Sequence, residues 1–296
     1  NANCFTGSAG LADARGLAGK LALGLGVKRE EILVASTGII GKRLPAGRMR
    51  RAIPQLIGRL SSKGMGQVSR AILTTDTFTK EISVKFSLGR GLVTICGIAK
   101  GAGMIAPDMA TMLVFILTDA NITQQALDKA LKIATENSFN CITVDGCMST
   151  NDSVMLLANA AANNEVIDKH RNFLLFSGAL NMLCLELAKM VVRDGEGATK
   201  FIRIRVSSAR NFKEAKKAAL AIANSNLFKT AMYGQDPNFG RIVASVGSSG
   251  VQVDEQGLKV KVSPLKNRDI SVDVSLGEGR AAAVVYTSDL TPGYIK

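Results

Sequence analysis

The sequence predicts a mixed α/β protein. Apolar residues recur at helical spacing in five segments, and short apolar runs of strand length lie between them along the whole chain. The predicted helices cover residues 10–25, 44–63, 124–138, 173–192 and 211–227. The predicted strands cover residues 32–35, 82–87, 92–96, 112–117 and 201–206. With 296 residues, 47% of them hydrophobic, the chain can bury a sizeable core and is too apolar to be disordered.

The first elements have clear boundaries. The helix over 10–25 carries Ala and Leu on one face and stops at Gly24 and Gly26. The strand over 32–35 is predicted to be buried and leads into a turn with two glycines. The next helix begins near Pro45 or Ala46 and carries a basic face, and Pro54 is expected to kink it.

The central and later elements follow from the same patterns. Residues 82–96 alternate as a hairpin does, with Gly89 and Gly91 at the bend. The helices over 124–138 and 173–192 are apolar on their inward faces, whereas the one over 211–227 is rich in lysine. After Arg241 the pattern alternates strands and turns. The chain contains no internal repeat and no low-complexity linker.

The charge distribution is strongly basic. The net charge is +13, and residues 32–75 include no acidic residue. A basic stripe of this kind can bind nucleic acid. The chain has no Trp, only 5% aromatic residues and no known nucleic-acid-reading motif, so a solvated basic face is the better interpretation. Steering of anionic substrates is a further role for this charge. The basic residues of the stripe are Lys42, Arg43, Arg48, Arg50, Arg51, Arg59, Lys63 and Arg70.

The cysteines and the hydropathy give expectations about location. The five cysteines are scattered without a C-x-x-C motif, which indicates a reducing compartment and no structural metal. Asp145 and Asp152 are too far apart in sequence to suggest a metal site. No apolar run of membrane-spanning length and no signal peptide is recognised. The expected location is therefore the cytoplasm, or the mitochondrial matrix in a eukaryote.

One stretch, residues 100–117, contains the candidate nucleophile. Its first half is a loop punctuated by Gly101, Gly103 and Pro107, and its second half is the apolar strand. Thr111 lies where the loop becomes the strand, so rigid backbone would fix its hydroxyl while the loop leaves it room. Taken alone, a Thr in this position is most often an ordinary strand residue.

The whole stretch is more specific. It runs Lys-Gly-Ala-Gly-Met-Ile-Ala-Pro-Asp-Met-Ala-Thr-Met-Leu from Lys100, and these fourteen positions resemble the self-cleavage segment of the ornithine acetyltransferase family. Members are glutamate N-acetyltransferases of arginine biosynthesis, often bifunctional. The resemblance extends through at least six motifs in the family's order, across essentially the whole chain.

The resemblance implies self-cleavage. The hydroxyl of Thr111 would attack the carbonyl of Ala110, and hydrolysis of the resulting ester would cut the chain between them. The pieces would be an α-chain portion, residues 1–110, and a β-chain, residues 111–296, whose later part (about 200–296) forms a smaller C-terminal domain. The freed α-amine of Thr111 titrates near neutral pH and can serve as its general base. No catalytic His is then needed, and the one His of the chain, His170, lies in a polar run.

Three further motifs carry implied site residues. Ala-Ser-Thr-Gly matches at Thr37 and Gly38, which by resemblance form the oxyanion hole. A hydroxyl and a glycine N–H are suitable donors to a developing oxyanion. The substrate-binding residues implied by the family are Thr74, Lys100, Thr111 and Glu196. A cation suits the carboxylate of a substrate, and a carboxylate suits its ammonium group.

The sequence also departs from the family's pattern. Cys147 and Met148 stand where Asp and Thr are usual, Phe239 replaces a Trp, and Thr79 replaces a Pro. A lost carboxylate near the site would weaken binding, so a degenerate or inactive member is one alternative. The chain begins inside a family motif and ends before an Asn and a Ser/Thr that bind substrate, so it is expected to be truncated at both ends.

The family implies a fold and a reaction. The fold is mixed α/β, with layered β-sheets flanked by helices, similar to the N-terminal-nucleophile-like fold of ornithine acetyltransferases and aminopeptidases. The reaction moves an acetyl group from N2-acetyl-L-ornithine to L-glutamate through Thr111, with no cofactor and with acetyl-CoA as an optional second donor. The α and β pieces would assemble as two of each, with neither nucleic acid nor membrane as a partner. The alternatives are a self-processing aminopeptidase or amidohydrolase, and a non-enzymatic binder of anionic partners.

Overall fold

Four strands form the first sheet, in the order in which they occur in the chain. The computed structural model describes residues 1–89, 91–106, 112–168 and 170–295. The strands are β1 (Lys80–Leu88), β2 (Gly91–Lys100), β3 (Leu113–Thr118) and β4 (Ser153–Ala158). The pairs β1–β2 and β2–β3 are antiparallel, and β3–β4 is parallel.

The register of this sheet gathers four residues at one end. Lys80 begins β1, and Lys100 ends β2 opposite Leu113, the first residue of β3. Leu113 in turn pairs with Ser153, the first residue of β4. The chain therefore leaves β2 and enters β3 at the same edge of the sheet.

The second sheet has the order β6-β7-β5-β8. Its strands are β5 (Phe201–Ala209), β6 (Lys259–Val262), β7 (Asp269–Ser275) and β8 (Ala281–Ser288). Strand β5 is parallel to β7 and antiparallel to β8. Tyr286 of β8 connects the two halves, because its carbonyl accepts the Thr143 N–H at 3.0 Å.

Eight α-helices flank the sheets in the described residues. They are α1 (Gly7–Leu25), α2 (Ala46–Ile57), α3 (Met65–Ala71), α4 (Gln124–Asn137), α5 (His170–Arg193), α6 (Phe212–Ala223), α7 (Asn226–Gly234) and α8 (Gly240–Ser248). Helices α4 and α5 pack in the core of the first sheet, and α6 to α8 pack on the second. Helices α1 and α2 pack on each other around Leu17, Ala46 and Ile53. The mixed α/β prediction is confirmed.

Helix α5 corrects one expectation. By length and composition, its residues Arg171–Arg193 form a helix apolar enough to cross a membrane. No apolar run of that length is expected from the sequence. Half of its most apolar window is buried inside the protein. Phe176, Leu180, Leu183 and Leu187 are fully buried in the first core, and this packing accounts for the apolar composition.

One predicted helix is shorter in the structure and another is divided. The segment 44–63 yields only α2, which ends at Ile57, and α3 begins beyond that segment at Met65. The segment 211–227 yields α6 and α7. Asn211 caps α6 by accepting the Glu214 N–H at 2.9 Å, and Ser225 caps α7 by accepting the Phe228 N–H. A side-chain cap at Ser225 stabilises a new helix start, which explains the break.

Two other predictions are wrong. Residues 32–35 form no strand, and Leu33 and Val34 are 58% and 44% exposed. A strand requires a hydrogen-bonded neighbour, and the described residues supply none at this segment. Helix α8 lies where strands and turns are expected. Ile242 and Val246, four residues apart, are buried on its inward face.

The basic stripe is exposed, as expected for a solvated basic face. All eight of its Lys and Arg side chains belong to exposed residues. Arg43 and Arg50 form ion pairs with Asp13 of α1, at 2.8 and 3.7 Å.

Candidate active site

Lys100 and Thr74 meet at the edge of the first sheet. The Lys100 ammonium donates a hydrogen bond to the Thr74 hydroxyl, with 2.8 Å between Nζ and Oγ1. Lys100 is 3% exposed, whereas Thr74 is exposed. Burial lowers the pKa of Lys100, and the nearby carboxylates Asp76, Asp152 and Glu196 oppose that effect. The structure thus brings two predicted substrate-binding residues into contact.

A buried ion network holds these two residues in place. Lys80 donates to Asp76 at 2.6 Å and also to Asp194, and all three side chains are at most 1% exposed. Asp76 accepts the N–H groups of Thr74 at 3.1 Å and of Gly101 at 2.7 Å, so it fixes the backbone on both sides of the Lys100–Thr74 contact. Burial alone would raise the pKa of Asp76, but the hydrogen bonds from Gly101 and Lys80 lower it.

The same network positions Glu196. Asp194 accepts the Thr77 N–H at 3.0 Å and stands two residues before Glu196. The Glu196 N–H donates to the Ala102 carbonyl at 2.8 Å, which ties its loop to the segment after Lys100. A Cβ on Gly103 would lie 2.4 to 2.7 Å from the Glu196 carboxylate, so only glycine leaves room for that side chain. The Glu196 carboxylate is also close enough to Lys100 for its charge to raise the pKa of that lysine against the effect of burial.

Thr37 and Gly38 lie on a loop that Asn151 anchors. The Asn151 side-chain amide donates to the carbonyl of Ser36 at 3.1 Å and to that of Ala2. The Thr37 hydroxyl oxygen is buried and makes no hydrogen bond to a residue that the structure describes. Gly38 has a φ of 122°, and a Cβ there would lie 3.0 Å from the backbone nitrogen of Asn1. A hydroxyl without a partner and a glycine N–H are what an oxyanion hole requires.

Asp152 links this loop to the strand that follows Thr111. It comes directly after Asn151, and its Oδ1 accepts the Met112 N–H. Its Oδ2 is buried and makes no hydrogen bond within the described part of the chain. Burial raises the pKa of Asp152 to about 7, although the Met112 hydrogen bond and the charge of Lys100 lower it.

Asp145 and Tyr294 hold the loop on its other side. Asp145 accepts the N–H groups of Met104 at 2.6 Å and of Ile105 at 3.0 Å, just before the segment 107–111. The Tyr294 hydroxyl donates to Asp145 at 3.3 Å. Burial, and next the charge of Asp145, raise the pKa of Tyr294 to about 12, so it remains a donor at neutral pH.

The two cleavage residues, Ala110 and Thr111, lie outside the described residues. Their neighbours Ala106 and Met112 line a cavity of about 590 Å³, together with Asp152 and residues of α4 and β4. Met112 and Ala106 are both buried, and both chain ends of the segment are therefore fixed.

Four buried side chains that hold the site together were not predicted as site residues: Asp76, Lys80, Asp152 and Asp194. All four lie inside motifs shared with the family, but a motif does not show which acidic residue contacts which cation. In contrast, residues 234–241, the stretch in which Phe239 replaces the family's Trp, make none of the described contacts with the site. There Arg241 pairs with Asp236 at 3.3 Å and donates to the Leu227 carbonyl.

Three of the four departures from the family's pattern lie at the surface, whereas Thr79 is half-buried. Cys147 is exposed, Met148 is 65% exposed and Phe239 is 42% exposed. The Cys147 N–H donates to Asp145 at 3.0 Å, so the backbone contact of that turn does not depend on the side chain at 147. Among the described residues, no cluster of three His, Cys, Asp or Glu could hold a metal ion.

Comparison with known proteins identifies the family of the chain. All residues, 1–296, match the ArgJ family. The arginine biosynthesis bifunctional protein ArgJ of Geobacter sulfurreducens is 45% identical over 320 residues, which cover 100% of this chain and 81% of that protein. The ArgJ protein of Chlorobium chlorochromatii is 43% identical, with 100% of this chain and 73% of that protein covered.

A solved structure shares the fold. The crystal structure of arginine biosynthesis bifunctional protein ArgJ from Bacillus halodurans matches with a TM-score of 0.59 at 36% identity. The match covers 61% of this chain and 95% of that one. With the family match over every residue and relatives above 40% identity, the chain belongs to the ArgJ family of bifunctional arginine-biosynthesis enzymes.

Proposed function

We propose that this chain transfers an acetyl group from N2-acetyl-L-ornithine to L-glutamate, through an acetyl ester on the Thr111 hydroxyl. One observation carries the proposal. The cluster of Lys100, Thr74 and Glu196 and the loop of Thr37 and Gly38 are both fixed around the ends of segment 107–111. The chain before that segment thus carries the binding groups, and the chain after it is tied through Asp152 and Asn151 to the oxyanion loop.

The charges of the cluster suit both amino-acid substrates. The Lys100 ammonium can hold a substrate carboxylate, and the Glu196 carboxylate can hold the ammonium group of ornithine. The Thr74 hydroxyl, exposed beside Lys100, provides a third polar contact. Because Lys100 is buried and hydrogen-bonded, its position is set before the substrate arrives, which reduces the entropy lost on binding.

The acetyl group moves in two balanced steps. The Thr111 oxygen attacks the acetyl carbonyl of acetylornithine, and its proton passes through the Thr111 α-amine to the departing ornithine nitrogen. The α-amine of glutamate then attacks the acetyl ester, and the Thr111 oxygen regains a proton as N-acetylglutamate leaves. The Thr37 hydroxyl and the Gly38 N–H stabilise the oxyanion in both steps.

The mechanism requires prior cleavage between Ala110 and Thr111, into residues 1–110 and 111–296. The length of the crystallised Bacillus halodurans chain supports such a cut. That chain is about two thirds as long as this one, which is close to the length of residues 111–296. We assign residues from about 200 to the smaller C-terminal domain. We propose assembly of two α and two β pieces in the cytoplasm, with acetyl-CoA as an optional second donor.

The test is an assay with acetylornithine alone and with glutamate added. We expect ornithine release that depends on glutamate, with one N-acetylglutamate formed for each ornithine. Release at the same rate without glutamate would contradict transfer and indicate a hydrolase. A Thr37→Val variant should lower kcat by about 10²–10³-fold with little change in KM, because one oxyanion donor is lost. Thr230→Val, an exposed threonine of α7 that bonds only within its own helix, is the matched control.

A further inference from the structure

We propose that Thr291 is a positioning residue for Glu196, and that its hydroxyl sets the affinity of the site for the ammonium group of the donor substrate. The inference rests on the proposed function, in which the Glu196 carboxylate holds that ammonium group. Thr291 belongs to residues 289–294, which we call the strap. The strap follows β8 and contacts the loop of residues 194–200, which carries Glu196.

The register of the second sheet brings the strap and this loop together. Ser288, the last residue of β8, pairs with Phe201, the first residue of β5. The loop ends where β5 begins, and the strap begins where β8 ends. Both segments therefore lie at the same edge of the sheet, and their contact follows from strand pairing.

Two buried side chains fix the start of the strap. Asp289 accepts the N–H groups of Thr199 at 2.8 Å and of Lys200 at 2.9 Å, at the end of the loop. Lys229 of α7 donates to the carbonyl of Ser288, the residue before the strap. Because both charged groups are buried and hydrogen-bonded, they hold the start of the strap in one position.

Thr291 connects the strap to the residue that follows Glu196. It is 7% exposed, and its hydroxyl donates to the Gly197 carbonyl at 2.6 Å. The same hydroxyl oxygen accepts the Gly293 N–H at 3.0 Å. Gly197 is bonded directly to Glu196, so the Thr291 hydroxyl restrains the backbone that carries the Glu196 carboxylate.

The strap and the loop approach each other closely at this contact. Gly197 has a φ of 69°, in the left-handed region that favours glycine. A Cβ on Gly197 would lie at most 3.0 Å from backbone atoms of Gly293 and Tyr294. Burial, and to a smaller extent the charge of Glu196, raise the pKa of Tyr294 to about 12. The Glu196 carboxylate therefore lies close to the end of the strap.

The position of this carboxylate decides how well it binds a cation. A charge-assisted hydrogen bond to an ammonium group requires a separation of about 2.7–2.9 Å. The Glu196 N–H donates to the Ala102 carbonyl at 2.8 Å, and Thr291 restrains the next peptide unit. Without the Thr291 hydroxyl one of these two restraints is lost. The freed loop would then lose entropy when the substrate binds, which weakens binding.

The effect should differ between the two substrates. N2-acetylornithine has one free ammonium group, at the end of its side chain, because its α-nitrogen is part of an amide. Glutamate has no ammonium group in its side chain, and its α-amine must be uncharged to attack the acetyl ester. Loss of the Thr291 hydroxyl should therefore weaken the binding of acetylornithine far more than that of glutamate.

The experiment measures KM and kcat for both substrates in Thr291→Val and Thr291→Ser. Valine has nearly the shape of threonine but lacks the hydroxyl. Thr291→Val should raise KM for acetylornithine by about 10-fold and change kcat and KM for glutamate by less than about threefold. Thr291→Ser keeps the hydroxyl and should restore KM for acetylornithine to within about twofold of wild type.

Thr118→Val is the matched control. Thr118 is 5% exposed and ends β3, at the opposite end of that strand from Leu113. Its hydroxyl donates to the Thr94 carbonyl at 2.8 Å and accepts the Ala120 N–H at 3.2 Å, so the substitution removes the same two kinds of hydrogen bond. Both valine variants should lose similar stability in urea unfolding, but only Thr291→Val should change KM.

A second measurement shows whether Thr291 acts through Glu196. The Kd of ornithine is measured by calorimetry for wild type, Thr291→Val, Glu196→Gln and the double variant. Thr291→Val should raise this Kd by about 10-fold in the wild-type background and by less than about threefold in the Glu196→Gln background. The smaller effect is expected because the charge that Thr291 positions is then absent.

Three results would overturn the inference. They are a KM for acetylornithine within twofold of wild type in Thr291→Val, an equal rise in KM in Thr118→Val, and an undiminished effect on the ornithine Kd in the Glu196→Gln background. Failure of the proposed function has a different signature. Wild type that releases ornithine equally fast without glutamate is a hydrolase, and the dependence of the ornithine Kd on Thr291 then still supports the inference. Wild type that binds no ornithine would overturn both.

Discussion

The ammonium group of Lys100 donates a hydrogen bond to the hydroxyl of Thr74, with 2.8 Å between the two atoms. The residues are 26 positions apart, and each is held by Asp76, which accepts the N–H groups of Thr74 and Gly101. Asp76 is in turn paired with buried Lys80. Asp76 thus positions Lys100 and Thr74 without facing the substrate itself. The stability of the fold and the position of these binding residues therefore depend on the same buried ion network.

Lys80→Met tests this coupling. The substitution leaves Asp76 and Asp194 buried without their cation, and losing one partner of a buried pair costs about 3–5 kcal/mol of unfolding free energy. Urea unfolding should show that loss. Lys85→Met, on the exposed side of the same strand, should change stability by less than about 0.5 kcal/mol. Equal stability of the two variants would contradict the role given to Lys80.

Gly103→Ala tests the placement of Glu196. The new Cβ would lie within 2.7 Å of the Glu196 carboxylate, which is the end of a flexible side chain and can move aside. We therefore expect a rise of about 10-fold or more in KM for acetylornithine, as a charge-assisted contact is lost. The thermal midpoint should change little. Gly178→Ala in α5, where a Cβ meets nothing within 4 Å, is the control. An unchanged KM would show that Glu196 does not bind the substrate.

Asp152 should make stability depend on pH. Its folded pKa, about 7, lies above the unfolded value of 3.8 because the carboxyl is buried. The protonated form is thus favoured in the fold, and the stability it contributes is present below about pH 4 and lost as pH rises through 7. Between pH 5 and pH 8 this group should lower the unfolding free energy by roughly 2–3 kcal/mol.

The measurement compares urea unfolding at pH 5 and pH 8 in a Thr111→Ala background, where every chain is uncut. Asp152→Asn should remove the predicted pH-dependent part. Asp119→Asn should retain it, because Asp119 lies just after the other end of β3, where it accepts the Thr94 N–H at 2.7 Å. The same pH dependence with and without the Asp152 carboxyl would show that another group is responsible.

Local patterns predicted much of the fold. The hairpin at Gly89 and Gly91, the strand after residue 111 and the long helix ending at Arg193 follow from periodicity and turn residues that act over short range. The error at residues 32–35 has a physical cause. Leu33 and Val34 have strand composition, but pairing depends on a neighbour that composition does not reveal.

The site was predicted in part. Motif resemblance named Thr37, Thr74, Lys100 and Glu196, and the structure places the last three near one another. It did not predict that Lys80 meets Asp194, 114 positions away, or that Asp152 binds the Met112 amide. Such contacts depend on strand register, which is a property of the whole sheet.

The intact mass of the purified chain under denaturing conditions tests the central claim most directly, with Thr111→Ala measured beside it. The account predicts two pieces from wild type, residues 1–110 and 111–296, and a single uncut chain from the variant. An uncut wild-type chain would remove the α-amine on which the acetyl transfer depends and would contradict the mechanism. Two pieces from both proteins would contradict the role of Thr111 and indicate cleavage by another protease.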